Sequence, residues 1–357
     1  FTDCRLQKQS SRQSAIGKMY GFSRLRYRLG GCLKKCGIRF VACPPTMCEC
    51  DTKAGVPRRF DLPLIVASRY GCTDAIVAMI ENGADVNEAR SDGSGMTALH
   101  VACLQGYMEV AKLLLTSGAV VNQAVSNGYT PLYIACGQGY IDIASLLLTN
   151  GAAVDQAEMR GATPLGIACG RGHTEVVSLL LANGAAVNHA KDGGATPLHI
   201  ACQHGRTEVA SLLLAKGAAV NQAKNNGTTP LHAACWEGHT EVASLLLTNG
   251  AAVDQAENGG ITPLGVACVR GLLACVQLFS SHGASRTFTD AMTAEEAAEH
   301  IGQDEVVAWL TTSRLWSTPL HHLTIIDATR ARELLRGGAD LHAAAVADGP
   351  TPLSLAH

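Results

Sequence analysis

The chain has 357 residues, 47% of them hydrophobic but only 4% aromatic, with 16% charged residues and a formal net charge of −2. A single hydrophobic core rarely grows to this length, and an apolar content drawn mainly from Ala, Leu and Val suits close-packed short helices. No apolar run approaches the roughly 18 residues of a membrane-spanning helix, which excludes a helical transmembrane protein on sequence grounds.

The charge is unevenly divided. Residues 1–59 hold 13 Lys and Arg against Asp3, Glu49 and Asp51, leaving 15 bases and 27 acids for the remainder. This first segment is basic, rich in Ser and Arg, and shows no repeat. Its composition fits an organelle transit peptide, a basic tail for acidic surfaces or nucleic acid, or non-native sequence upstream of a start at Met19 or Met47. Disorder is expected under each reading. Its cysteine cluster, Cys32, Cys36, Cys43, Cys48 and Cys50, lacks the close C-x2-C pairing that zinc sites use, so no metal is expected there.

After residue 60 the chain repeats. A first unit opens with LPLIVA at Leu62 and closes with GADVN at Gly83; its following turn, residues 88–96, is two residues longer than later ones. A threonine then recurs at 97, 130, 163, 196, 229 and 262, always 33 apart, and residues 196–228 match 229–261 at 23 of 33 positions. A fixed period of this length signals stacked units rather than one core.

One copy shows why such a unit folds. Thr196 is a good N-cap, and Pro197 falls at the first helical position, where its missing N–H costs nothing. A first helix is predicted through Leu198, Ala201 and Cys202, ended at Gly205. A second is predicted over 208–214, with Val209, Leu212 and Leu213 on its apolar face and Gly217 closing it. The chain then leads outward to a turn around 224–227. Two short helices cannot bury their apolar faces alone, so each unit needs neighbours.

The T-P-L-H-x-A opening and G-A-x-V-N close, recurring in phase from about residue 61 onward, resemble the ankyrin repeat. The resemblance implies an all-α ankyrin-repeat solenoid of helix-turn-helix units with projecting β-hairpin or turn fingers. Three segments are expected: a basic, disordered 1–59; seven repeats over 60–292; and degenerate and C-terminal repeats over 293–357. In the last segment Thr293 opens a worn unit, Thr318 starts a cleaner one, and Thr351 opens a unit that stops at His357 in mid-helix. That unfinished unit reads as the end of a fragment.

Chemistry is hard to find in this pattern. Cys103, Cys136, Cys169, Cys202, Cys235 and Cys268 occupy one repeat position. Adjacent helices lie about 8–10 Å apart and a disulfide needs its Cα atoms within about 7 Å, so these are expected as buried thiols in a reducing, intracellular and most readily cytoplasmic setting. His100, His199, His232 and His321 also share a position. The ankyrin resemblance gives them a structural role, hydrogen-bonding the opening Thr and the neighbouring finger. Tyr133, Gly166 and Gly265 stand where that His would be, and those units are expected to be looser. The Gly137-Gln138-Gly139 run follows a helix rather than a strand and lacks the third glycine of a phosphate loop. No nucleophile, metal or phosphate motif stands outside the repeat pattern, so neither catalysis nor a cofactor is expected.

What remains is recognition. Of the ten differences between the two central copies, six fall on the finger or at the end of the first helix and its following turn. The resemblance places these positions on the concave groove and the finger tips, where protein partners dock. Trp, Tyr and Arg bury much area with few lost rotamers. The expected contact strip is Tyr129, Met159 and Arg160 on the fingers, with Arg171, His204, Trp236, Glu237 and Arg270 at the inner-helix ends. The expected function is a non-catalytic scaffold or adaptor that binds another protein or a peptide segment. An alternative is the targeting module of a larger enzyme, such as a ubiquitin-ligase adaptor or a kinase. Nucleic acid or membrane contact is expected, if at all, only through residues 1–59.

Overall fold

A computed structural model describes residues 63–289, 292–313 and 328–336. The basic segment with its cysteine cluster, His321 and the repeats expected from Thr318 and Thr351 lie outside the described residues, apart from one helix, Ala328–Arg336. The chain divides at Met159/Arg160 into two compact units.

The first unit holds three helix pairs: α1 (Pro63–Arg69) with α2 (Thr73–Glu81), α3 (Ala98–Gln105) with α4 (Met108–Thr116), and α5 (Pro131–Gln138) with α6 (Ile141–Thr149). The first members α1, α3 and α5 pack side by side, as do α2, α4 and α6. The second unit continues the scheme with α7 (Pro164–Arg171), α8 (Thr174–Ala182), α9 (Pro197–Gln203), α10 (Thr207–Ala215), α11 (Pro230–Trp236), α12 (Thr240–Thr248), α13 (Pro263–Arg270) and α14 (Leu273–Ser281). A short antiparallel pair, β1 (Thr287–Thr289) and β2 (Met292–Thr293), then leads into α15 (Ala294–Ile301) and α16 (Asp304–Thr312). Here the inner row is α7, α9, α11, α13 and α15, and the outer row α8, α10, α12, α14 and α16.

Local chemistry sets the helix ends as the sequence predicts. Thr130, Thr163, Thr196, Thr229 and Thr262 each cap an inner helix, accepting a bond from the backbone N–H three residues on, with Pro at the first position. Gly205 and Gly217 take positive φ, +63° and +85°, where a Cβ would be strained. The outer helix α10 runs one residue further at each end than expected, and its buried face is Val209, Ala210 and Leu213, with Leu212 only half covered.

The fingers are mostly turns rather than ladders. A few backbone bonds close these hairpins, as in Lys191 N to Ala195 O (3.0 Å) and Lys224 N to Thr228 O (2.9 Å), and backbone bonds link neighbouring fingers, as in Asn225 N to Gly193 O (3.0 Å). The longer first finger is closed by Arg90 N donating to Met96 O at 2.9 Å, and its Arg90 side chain, almost fully buried, pairs with Asp92 at 2.9 Å.

Asparagines add a second link between repeats. Asn221 Nδ2 donates to Gly250 O while Ala252 N donates to Asn221 Oδ1 at 2.8 Å; Asn87, Asn122 and Asn188 do the same. Each such pair fixes the separation of one repeat from the next, which is what places inner-helix ends from different repeats beside one another.

Candidate functional site

The recurring histidines can be set aside first, because both ring nitrogens of His199 and His232, and Nδ1 of His100, bond within the repeat frame. In His232, Nδ1 accepts from Thr229 N (3.3 Å) and meets Thr229 Oγ1 at 2.8 Å, while Nε2 lies 3.0 Å from Ile261 O. His199 spans Thr196 and Thr228 O, the latter at 2.8 Å. Burial holds the imidazoles of His100 and His199 down to about 4 and lowers that of His232. A neutral ring with one nitrogen accepting and the other donating to a carbonyl is a strut, not a ligand. Among the described residues no group of His, Cys, Asp and Glu could hold a metal ion.

The periodic cysteines are buried and free, and burial pushes their thiols up, that of Cys268 to about 12. The thiols of Cys103, Cys136, Cys169 and Cys202 are therefore protonated and inert. Cys275 departs from the period, standing on an outer helix where most other copies carry Val, as at Val110, Val176, Val209 and Val242. Its Sγ lies 3.5 Å from Thr240 Oγ1, and bonding with Cys235 pulls its thiol down to about 7. The 1% exposure of Cys275 keeps even this thiol from solvent.

The units expected to be looser are filled from elsewhere. At the first, Tyr133 stacks on Tyr129, ring centroids 4.6 Å apart and planes within 14°. At the second, Ile200 of α9 covers Gly166 and Gly170 of α7. At the third, the ring of Phe288 lies 3.4 Å from where a β-carbon on Gly265 would stand. The histidine bridge is absent at these positions, but the volume is taken up by packing.

In the first unit, Tyr129 is half-buried against Tyr133, and Met159 is 72% exposed. Gly128 passes so close to Met159 that a β-carbon would stand 2.8 Å from its backbone N, which binds these two finger tips together.

The remaining five inner-helix candidates and Arg160 belong to the second unit. Arg160 is an exposed finger residue whose carbonyl accepts from Asp192 N at 2.9 Å. Arg171, His204, Glu237 and Arg270 occupy one register at the ends of α7, α9, α11 and α13, all exposed. Trp236, the last residue of α11, is 51% exposed, and the Arg270 guanidinium lies over its ring at 5.3 Å. Such a contact stabilises by about 0.5–1 kcal/mol at an exposed site and holds the indole in one place. His204 is lowered by partial burial and by Arg206, with Glu237 opposing and Lys191 adding to the shift. Lys191 is thus a neighbour of this strip that the sequence did not single out, as is Ile301, which ends α15 in the same register as Arg270 and is 51% exposed.

Stacked pairs of helices joined by short fingers, with a bare surface of variable side chains at the inner-helix ends, define a repeat protein built to present a surface. A family model for ankyrin repeats in three copies matches residues 64–158, 153–224 and 220–290. The chain belongs to the ankyrin-repeat family, whose members are protein–protein interaction modules on a typically non-catalytic fold. It is similar to the crystal structure of the human ASB11 ankyrin repeat domain, with 36% sequence identity and a TM-score of 0.54, over 58% of this chain and 92% of that one. No curated protein matches it. No helix among the described residues is long and apolar enough to cross a membrane.

Proposed function

We propose that this chain is a non-catalytic scaffold that binds another protein through the inner-helix ends and fingers of its second unit. The observation that carries this reading is Trp236, half exposed beneath Arg270 at a position where the preceding copy has Gln203. A large aromatic half in water contributes little to the stack beyond its contact with Arg270, and the same side chain in an interface is a typical hot spot. Arg171, His204, Glu237 and Arg270 supply polar contacts around it. Arg160 extends the surface onto the second unit's fingers, and Tyr129 with Met159 forms a separate contact patch on the first unit. No cofactor or metal takes part, and the setting is intracellular.

Proximity labelling in intact cells tests this, comparing the full-length protein with its Trp236→Ala, Arg270→Ala double variant. Partners lost from the variant, with an unchanged helical melting curve, support the reading. An unchanged partner list overturns it.

A further inference from the structure

The ends of the inner helices in the second unit are unequal along the row. At the α7 and α9 end they carry charge: Arg171 lies on α7, while Lys191 and Lys224 sit on the following fingers. The fingers that carry Lys191 and Lys224 lie side by side, Asn225 N donating to Gly193 O at 3.0 Å, and a β-carbon on Gly194 would stand 3.1 Å from the Lys224 Cα; the two lysines add to the lowering of His204 and His199 of α9. Among the described residues none of these three cations forms an ion pair. Two acids stand among them, Asp192 beside Lys191 on its finger and Glu237, which opposes the shift of His204; the next finger's Glu257 accepts a bond from Thr228 Oγ1 at 3.4 Å. At the other end exposed apolar side chains join the charged ones: Trp236 ends α11 beside Glu237 and beneath Arg270, Val269 precedes Arg270 at the end of α13, and Ile301 ends α15, with exposures of 51%, 36% and 51%.

Resting on the reading of this surface as a protein-binding one, we infer that its occupant is an extended peptide with an acidic stretch and an apolar stretch in a fixed order. The acidic residues lie over Arg171, Lys191 and Lys224, and an apolar side chain packs on the free part of the Trp236 indole. Further apolar residues reach Val269 and Ile301. The spacing follows from two lengths. Neighbouring helices are about 8–10 Å apart and an extended chain advances about 3.3 Å per residue, so each helix step takes about three residues. From α9 to α11 is one step and from α7 to α11 two. The leading apolar residue therefore stands about three to six residues from the acidic ones. The charge match is local: the fingers and inner-helix ends near α9 are net basic, whereas the chain beyond residue 59 has more acids than bases.

Selection of random linear peptides displayed on phage against the full-length protein tests the inference. The expected result is enrichment of peptides with acidic residues three to six positions from a large apolar residue. Trp236→Gln, which installs the side chain of the preceding copy, weakens the selected peptides by about tenfold or more. Lys191→Glu with Lys224→Glu shifts selection from acidic to basic residues at the same spacing. Both variants still melt cooperatively and close to the parent, since Trp236 is half exposed, the two lysines are only half-buried, and the lost contact of Trp236 with Arg270 is a weak one. No enrichment, enrichment without that spacing, or selected peptides indifferent to both variants overturns the inference. If the cellular partner list still depends on Trp236 and Arg270 in that case, the scaffold reading stands and only the peptide chemistry falls.

Discussion

The Cγ2 methyl of Ile200 lies 2.9 Å from where a β-carbon on Gly170 would stand, while the nearest part of Ile200 is 3.7 Å from the equivalent point on Gly166. Both glycines belong to α7, and neither needs a positive φ. Replacing a helical glycine by alanine gains up to about 1 kcal/mol through the unfolded chain and helix propensity. At Gly166 the added methyl meets ordinary contact distances, so Gly166→Ala raises the melting midpoint. At Gly170 the same gain is offset by displacement of Ile200, so Gly170→Ala is neutral or destabilising. Thermal or urea melts of the two variants should differ in sign.

This pair marks the limit of what the sequence discloses. The 33-residue period, the threonine caps and the glycine stops are local chemistry, and they place nearly every helix within a residue or two. The histidine struts follow from the same repetition. The filling of an empty position does not, because Ile200 lies 34 and 30 residues beyond the glycines it covers, and Phe288 lies 23 beyond Gly265. The same holds for the surface. Trp236 and Arg270 stand out by residue type, but their contact depends on how adjacent repeats are offset. Lys191 joins the strip only through its charge, which adds to the lowering of His204.

A ladder of contacts over left-handed glycines gives a second prediction. The residue that precedes an outer helix packs on the glycine turn of the previous repeat: Tyr107 on Gly71, Tyr140 on Gly106, His239 on Gly205, Leu272 on Gly238. At Gly205, with φ +63°, a β-carbon would stand 2.6 Å from His239 Nδ1; at Gly217, with φ +85°, nothing lies within 4 Å. Alanine at either site bears the left-handed penalty of about 1–2 kcal/mol. Only Gly205→Ala must also expel the imidazole. Its midpoint should fall further than that of Gly217→Ala, and the gap should narrow in a His239→Ala background.

Acid should loosen the stack through its struts. His100 and His199 are held at about 4 by burial, against 6.5 for a free imidazole. Between these values the unfolded chain binds protons that the folded chain refuses, so stability falls as pH drops from 6.5 and the loss is complete below about 4. Each site contributes up to about 3 kcal/mol to that loss. Urea midpoints measured at pH 7 and pH 4.5 should show the decline. It should be smaller in His199→Gln, whose amide does not titrate in this range. A decline unchanged in that variant and in His100→Gln would assign it to carboxylates instead.

Arg286 offers the sharpest test of how the last described repeats are held. It stands where preceding copies have Val187, Val220 and Val253, and it departs from them in function as well as size. Its guanidinium pairs with Glu295 at 3.2 Å, donates to the carbonyls of Leu310 (2.9 Å) and Ser313 (3.0 Å), and meets Ser313 Oγ at 2.7 Å. The two carbonyls belong to the C-terminal end of α16, where a cation complements both the unpaired acceptors and the helix dipole. Bonds to a charged group contribute about 1.5–3 kcal/mol each, less where water reaches the site. Arg286→Val restores the repeat consensus, and on pattern alone it should be harmless. The geometry says otherwise: a loss of roughly 2–4 kcal/mol, confined to α15 and α16 because each repeat contacts only its neighbours. Hydrogen exchange should show those two helices opening first, with α7 to α12 unaffected. Arg286→Lys should recover only part of the protection, since an ammonium keeps the charge but cannot span carboxylate, carbonyls and hydroxyl with one planar fork.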